Sequence, residues 1–151
     1  MFKTLKKVIL FLDFDGVTHH YFPISGVNDS ENTYFYFLRN IESVIRDFNT
    51  NLDIKIVISS SWRKRHTLEE MKQHFSEDIK EKVISATPVI DEYKRFEEIT
   101  QWIQDNNFSG EWFALDDVDA IFSDRTRLIQ CYDQFSDREI EILSTKLKSL
   151  I

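Results

Sequence analysis

At 151 residues the chain suits one domain with a substantial core and is too short for two comfortable ones. Nineteen Lys and Arg against 26 Asp and Glu leave a net charge of −7, which argues against a general nucleic-acid coat or a binder of anionic membranes but allows a local basic site. With 42% hydrophobic and 14% aromatic residues the chain is globular, and its single cysteine excludes an internal disulfide and fits a reducing compartment.

We therefore expect a single domain over residues 1–151. Lysines ahead of Val8 give the N-terminus a superficial likeness to a secretory signal, but Asp13 and Asp15 interrupt the apolar run where such a signal would continue. No stretch approaches the roughly 18 apolar residues of a membrane span. The expected location is cytoplasmic, with no membrane partner.

Val8-Ile9-Leu10-Phe11-Leu12 reads as a strand buried on both faces, the kind found inside a parallel sheet. Asp13, Asp15 and Gly16 follow. Period-two geometry puts the two carboxylates on one side of the strand tip, an arrangement that a divalent cation or a shared proton would relieve. Taken alone the pair is a weak signal, since aspartates commonly start turns after strands.

Residues 17–29 read as a loop or small hairpin, in which His19, His20, Tyr21 and Phe22 are either substrate contacts or an ordinary flexible segment. From Ser30, the apolar residues Tyr34, Leu38, Ile41, Ile45 and Phe48 recur at helical spacing up to the breakers at 49–51. A second strand over 54–58 ends in Ser59-Ser60-Ser61-Trp62-Arg63. Thr67 to Glu70 fits a capping box for a short helix with Leu68, Met71 and Phe75 inward.

Residues 81–87 predict a third strand, stopped by Pro88. Asp91 is the expected cap of the next helix, whose stripe of Arg95, Ile99 and Trp102 faces the sheet while Lys94, Glu98, Gln101 and Asp105 face solvent. Gly110 precedes a fourth strand over 111–115, which runs into Asp116 and Asp117. A fifth strand over 128–132 contains Cys131, an expected buried and inert thiol. Ser136 to Glu139 then opens a last helix with Ile140, Leu143, Leu147 and Leu150 inward.

Strands alternating with helices specify a three-layer α/β/α sandwich on a mainly parallel five-stranded sheet, with ligands at the carboxyl ends of the strands. Those ends carry Asp13 and Asp15, Ser59, and Asp116 and Asp117. Three separate strand tips with polar first residues favour a functional site over turn chemistry.

These residues resemble the motifs of the haloacid dehalogenase-like (HAD) hydrolases: Asp13-Phe14-Asp15-Gly16-Val17 the first, Ser59 the second, Arg95 the third with Lys94 as fallback, and Asp116-Asp117 the fourth. Ser-Ser-Ser-Trp-Arg, Arg95-x-x-Glu98-Ile99-x-x-Trp102 and Leu115-Asp116-Asp117 further resemble the small HAD family of multifunctional RNA-repair proteins. The resemblance implies a Rossmann-like sheet of order 5-4-1-2-3 and a Mg²⁺-dependent phosphatase working through an aspartyl-phosphate. In that scheme Asp13 is the nucleophile, Asp15 the acid and base, Ser59 and Arg95 the phosphoryl contacts, and Asp13, Asp15, Asp116 and Asp117 the metal site. Dehalogenating members lack the acid at the position of Asp15.

Neither motif gap holds a cap domain, so an open site is expected, suited to a large phosphorylated substrate such as a polynucleotide end or a phosphoprotein, or to a protein partner that supplies the lid. Trp62 and Arg63, in the basic run 63–66, and Lys94 are candidate substrate contacts; the competing reading makes Trp62 core and the run a solvated helix start. A receiver domain fits poorly, because the third strand lacks an aspartate. A catalytically silent HAD-like binding module is the main alternative.

Overall fold

A computed structural model of the chain describes residues 4–91 and 93–151. Its centre is β1 (Lys6–Leu12), which pairs in parallel with β2 (Leu52–Ile58) on one side and β4 (Glu111–Asp116) on the other. β3 (Val83–Ala86) and β5 (Leu128–Gln130) complete a wholly parallel sheet of order β3-β2-β1-β4-β5, the expected order read from the opposite edge.

The apolar run of β1 is buried on both faces because its side chains alternate between two cores. Val8, Leu10 and Leu12 join the larger core, under α1 (Leu38–Phe48) and α5 (Asp137–Lys148). Ile9 and Phe11 join the smaller, where the rings of Trp102 on α4 (Arg95–Asp105) and Trp112 meet Phe11 edge to face at 5.6 Å. Two short helices, α2 (Leu68–Lys72) and α3 (Glu77–Lys80), connect β2 to β3. The capping boxes at Thr67 and Ser136 both form.

Gly110 is required by proximity, since a Cβ there would stand 2.5 Å from the Lys7 carbonyl oxygen. Backbone bonding continues one residue past the strands: Asp13 N–H donates to Leu115 O at 3.0 Å, Ser59 N–H to Leu12 O at 2.9 Å and Thr87 N–H to Ile58 O at 2.9 Å. Asp13, Ser59, Thr87 and Asp116 therefore form one row along the carboxyl edge.

Several expectations are corrected. The helix expected from Ser30 begins only at Leu38, because Phe35 takes a positive φ of 65° that no α-helix accommodates; a single 3₁₀ turn (Asp29–Asn32) precedes it and Tyr34 is exposed. The helix expected from Asp91 begins at Arg95. Glu98, assigned to its solvent face, is buried because Arg63 pairs with it at 2.7 Å. The loop after Gly16 is anchored, with Val17, Thr18, His19 and His20 all buried. α3 was not expected, and β5 is two residues shorter than expected at its end.

Candidate active site

The tip of β1 carries Asp13 into the sheet edge, where its carboxylate meets those of Asp116 and Asp117 from β4. Ligand oxygens of the three lie within 4.8 Å of one another. Asp13 and Asp116 are buried, and Asp117 is partly so. Burial raises Asp13 to about 7, against the Arg95 charge and with help from the charge of Asp117; burial likewise raises Asp116 to about 7 and Asp117 to about 6. The closeness of the Asp13 and Asp117 carboxylates favours protonation of one of them unless a cation separates the charges.

Gly16 makes this crowding possible. Its φ is +78°, and a Cβ would press on the Asp117 carboxylate, with Asp117 Cγ 2.8 Å away. Asp117 can swing over the β1 tip only because that side chain is missing.

Arg95, the first residue of α4, supplies the nearest positive charge. Its Nη1 donates to Asp116 Oδ2 at 2.6 Å and stands 3.5 Å from Asp13 Oδ1. Lys94 precedes the helix and is exposed. Ser59, at the tip of β2, is buried, and its Oγ has no hydrogen-bond partner among the described residues. A buried hydroxyl without a partner is costly, and a ligand oxygen would satisfy it.

The Asp15 carboxylate, expected at the metal site, lies outside the cluster of Asp13, Asp116 and Asp117. Its Oδ1 accepts from His19 Nε2 at 2.8 Å and from Trp62 Nε1 at 3.1 Å. The His19 bond holds Asp15 below the usual carboxylate range; burial opposes it and Trp62 adds to it. The backbone N–H of Phe35 donates to His19 Nδ1 at 3.2 Å, which leaves the imidazole proton on Nε2, facing Asp15. Phe35 has a positive φ, an unusual backbone conformation at the residue whose N–H meets the histidine.

His19 is the site residue that sequence reasoning did not single out. Its one trace in the sequence is its place four residues after Asp15, in a tight loop whose return is fixed when Gly16 N–H donates to His19 O at 2.9 Å.

Of the other candidate contacts, Trp62 is half-buried, packed against the core and bonded to Asp15. Arg63 is not presented to a substrate: its guanidinium pairs with Glu98 and donates to the carbonyls of Ser59, Ser60, Thr87 and Pro88. Cys131 is buried, and burial pushes its thiol well up. A cavity of about 200 Å³ opens over the site between Asp13, Asp15, Arg95 and Asp117, with Tyr21 and Tyr93 at its mouth.

A parallel 3-2-1-4-5 sheet with carboxylates at the tips of its first and fourth strands, in sequence order, and an arginine at a helix start between them defines a HAD-like domain. The family model for the HAD domain in Swiss Army Knife RNA repair proteins matches residues 9–136. The chain belongs to that family. No curated protein and no solved structure matches it.

Proposed function

We propose that this domain is a phosphomonoesterase of the HAD type, with Asp13 as nucleophile. The observation that carries the proposal is the convergence of three carboxylates, two of them buried, with Arg95 at the edge of the sheet. The donor set fits a hard divalent cation such as Mg²⁺: the ligand atoms are all oxygens and lie close together, and burial, with the neighbouring carboxylates adding to it, raises all three pKa values in a way that a bound cation would offset. Asp13, Asp116, Asp117 and the Asp15 carbonyl would hold it. When bound, the ion supplies Lewis-acid charge neutralisation at the phosphoryl oxygens.

This chain's own groups account for the rest. The Asp13 carboxylate oxygen forms a bond to phosphorus as the ester oxygen departs, leaving an aspartyl-phosphate that water then cleaves. Arg95 and the Ser59 hydroxyl bind the equatorial oxygens. Asp15 gives a proton to the departing oxygen and later takes one from the attacking water. Held ionised by His19, it is ready for the base step; an incoming phosphoryl group places negative charge beside it and raises its proton affinity for the acid step.

Among the described residues neither motif gap holds a cap, which supports reading the chain as one domain whose site is open to a large phosphorylated substrate or to a partner that covers it. The RNA-repair setting named for the family favours a nucleic-acid end. Turnover of an aryl phosphate in Mg²⁺ by the wild type and by Asp13→Asn tests the chemistry. The variant should lose at least about a thousandfold in kcat. Full activity in the variant would refute the assignment, and no turnover by the wild type on nucleotide, sugar and peptide phosphates would favour a silent binding module.

A further inference from the structure

A second and larger cavity, of about 510 Å³, adjoins the first and shares Asp15 and Ser61 with it. Its remaining walls are Tyr34, Trp62, Lys64, Arg65 and His66. Asp13 lines the smaller cavity and not the larger, so Asp15 stands at the junction. In-line displacement sends the departing oxygen away from Asp13, toward the group that protonates it. The leaving alcohol must therefore extend past Asp15 into the larger cavity.

The walls of this cavity are suited to a particular kind of alcohol. Lys64 and Arg65 are exposed and form no ion pair among the described residues, in a chain whose net charge is −7. Tyr34 is 72% exposed, a large ring held in solvent beside Trp62, whose centroid is 5.5 Å away. Free cations beside an exposed aromatic face match a ligand with both a further anionic group and a planar ring. A sugar phosphate offers no ring face, and a phosphopeptide offers neither feature by necessity.

Building on the phosphomonoesterase reading, we propose that this cavity is a subsite for the leaving group's own nucleotide and the phosphodiester beyond it, so that the substrate is a terminally phosphorylated oligonucleotide. Tyr34 and Trp62 take the base, and Lys64 and Arg65 take the phosphodiester. Arg63, next in sequence to Lys64, is not part of the subsite because its guanidinium is taken up by Glu98 and by backbone carbonyls.

Two measurements on the intact chain separate this proposal from the chemistry it builds on. The first compares kcat/KM for a nucleoside monophosphate, for di- and hexanucleotides carrying the same terminal phosphate, and for a phosphopeptide. A gain of at least about tenfold from mono- to dinucleotide is expected, as one added phosphate contact implies. Equal values, or a preference for the phosphopeptide, would overturn the subsite.

The second follows the anisotropy of a labelled hexanucleotide without a terminal phosphate as salt is raised. Removing the two cations that hold the one phosphodiester in Lys64→Gln/Arg65→Gln should reduce the slope of log affinity against log salt by about 0.7, the value for one phosphate on a single strand. An unchanged slope overturns the proposal. If the hexanucleotide binds as described while no phosphate ester is turned over, the subsite stands and the phosphatase reading falls. If an aryl phosphate is turned over and the hexanucleotide does not bind, the subsite alone falls.

Discussion

His19 shows how one buried side chain governs another. Its Nε2–H meets the Asp15 oxygen at 2.8 Å, and the Phe35 N–H fixes the tautomer that makes this possible. Oδ1 of Asp15 is thereby occupied, and Oδ2 is the oxygen available for proton transfer. Replacing His19 by Phe keeps the ring packed among Tyr34, Phe35 and Trp62 but removes the donor. We expect kcat on an alkyl phosphate to fall by roughly a hundredfold, with a much smaller loss on an aryl phosphate whose leaving group needs no proton. His19→Gln, which retains an N–H donor at similar reach, should recover part of the loss. Equal losses on both esters would mean that His19 serves packing alone.

Between elements, the ion pair of Arg63 and Glu98 fastens three strand and helix ends together. Both side chains are under 5% exposed. Arg63 binds carbonyls at the tips of β2 and β3, while Glu98 on α4 accepts from Ile90 N–H at 2.8 Å. This holds the β2 tip, with Ser59, in place relative to α4, with Arg95. Arg63→Met leaves the Glu98 carboxylate buried without its ion-pair partner and should cost about 3–5 kcal/mol in urea unfolding, with Glu98→Leu restoring much of it in the double variant. A loss below about 1 kcal/mol would show that the pair is incidental to the fold. The same elements show where sequence reading succeeds and where it stops. β1, β2 and β4 were legible because unbroken apolar runs have few other uses, and both capping boxes because their hydrogen bonds are local. Glu98 was misplaced because helical periodicity has no knowledge of an arginine 35 residues earlier. Phe35 delayed the start of the expected helix by a backbone angle that a Tyr-Phe-Tyr-Phe run does not announce. The three strand-tip carboxylates were visible as a pattern, but the aim of His19 and the burial of Arg63 depend on packing between distant segments.

Across the whole molecule, His20 ties the loop after β1 to the segment after β5. Its Nδ1 faces Asp133 O at 3.0 Å and Asp133 Oδ2 at 3.1 Å, and its Nε2 faces Glu31 Oε2 at 3.0 Å. Acceptors on both sides favour the doubly protonated ring. Burial works against that charge, but Glu31 and Asp133 outweigh it and raise the pKa above the usual histidine value. Since the folded state holds this proton more tightly, the His20 contribution is complete below about pH 6.5 and is lost as pH rises through the raised value. Thermal melts should show this decline in the wild type and not in His20→Ala, and parallel curves would contradict the linkage. Among the described residues no helix is long and apolar enough to cross a membrane.

The central claim, that Asp13 carries the phosphoryl group, is tested most directly by trapping it. Acid quench of the wild type turning over an aryl phosphate in Mg²⁺, followed by peptide mass spectrometry, should find a phosphoryl group on the peptide bearing Asp13 and none in Asp13→Asn. Continued turnover with no adduct at Asp13, or with an adduct on another carboxylate, would contradict it.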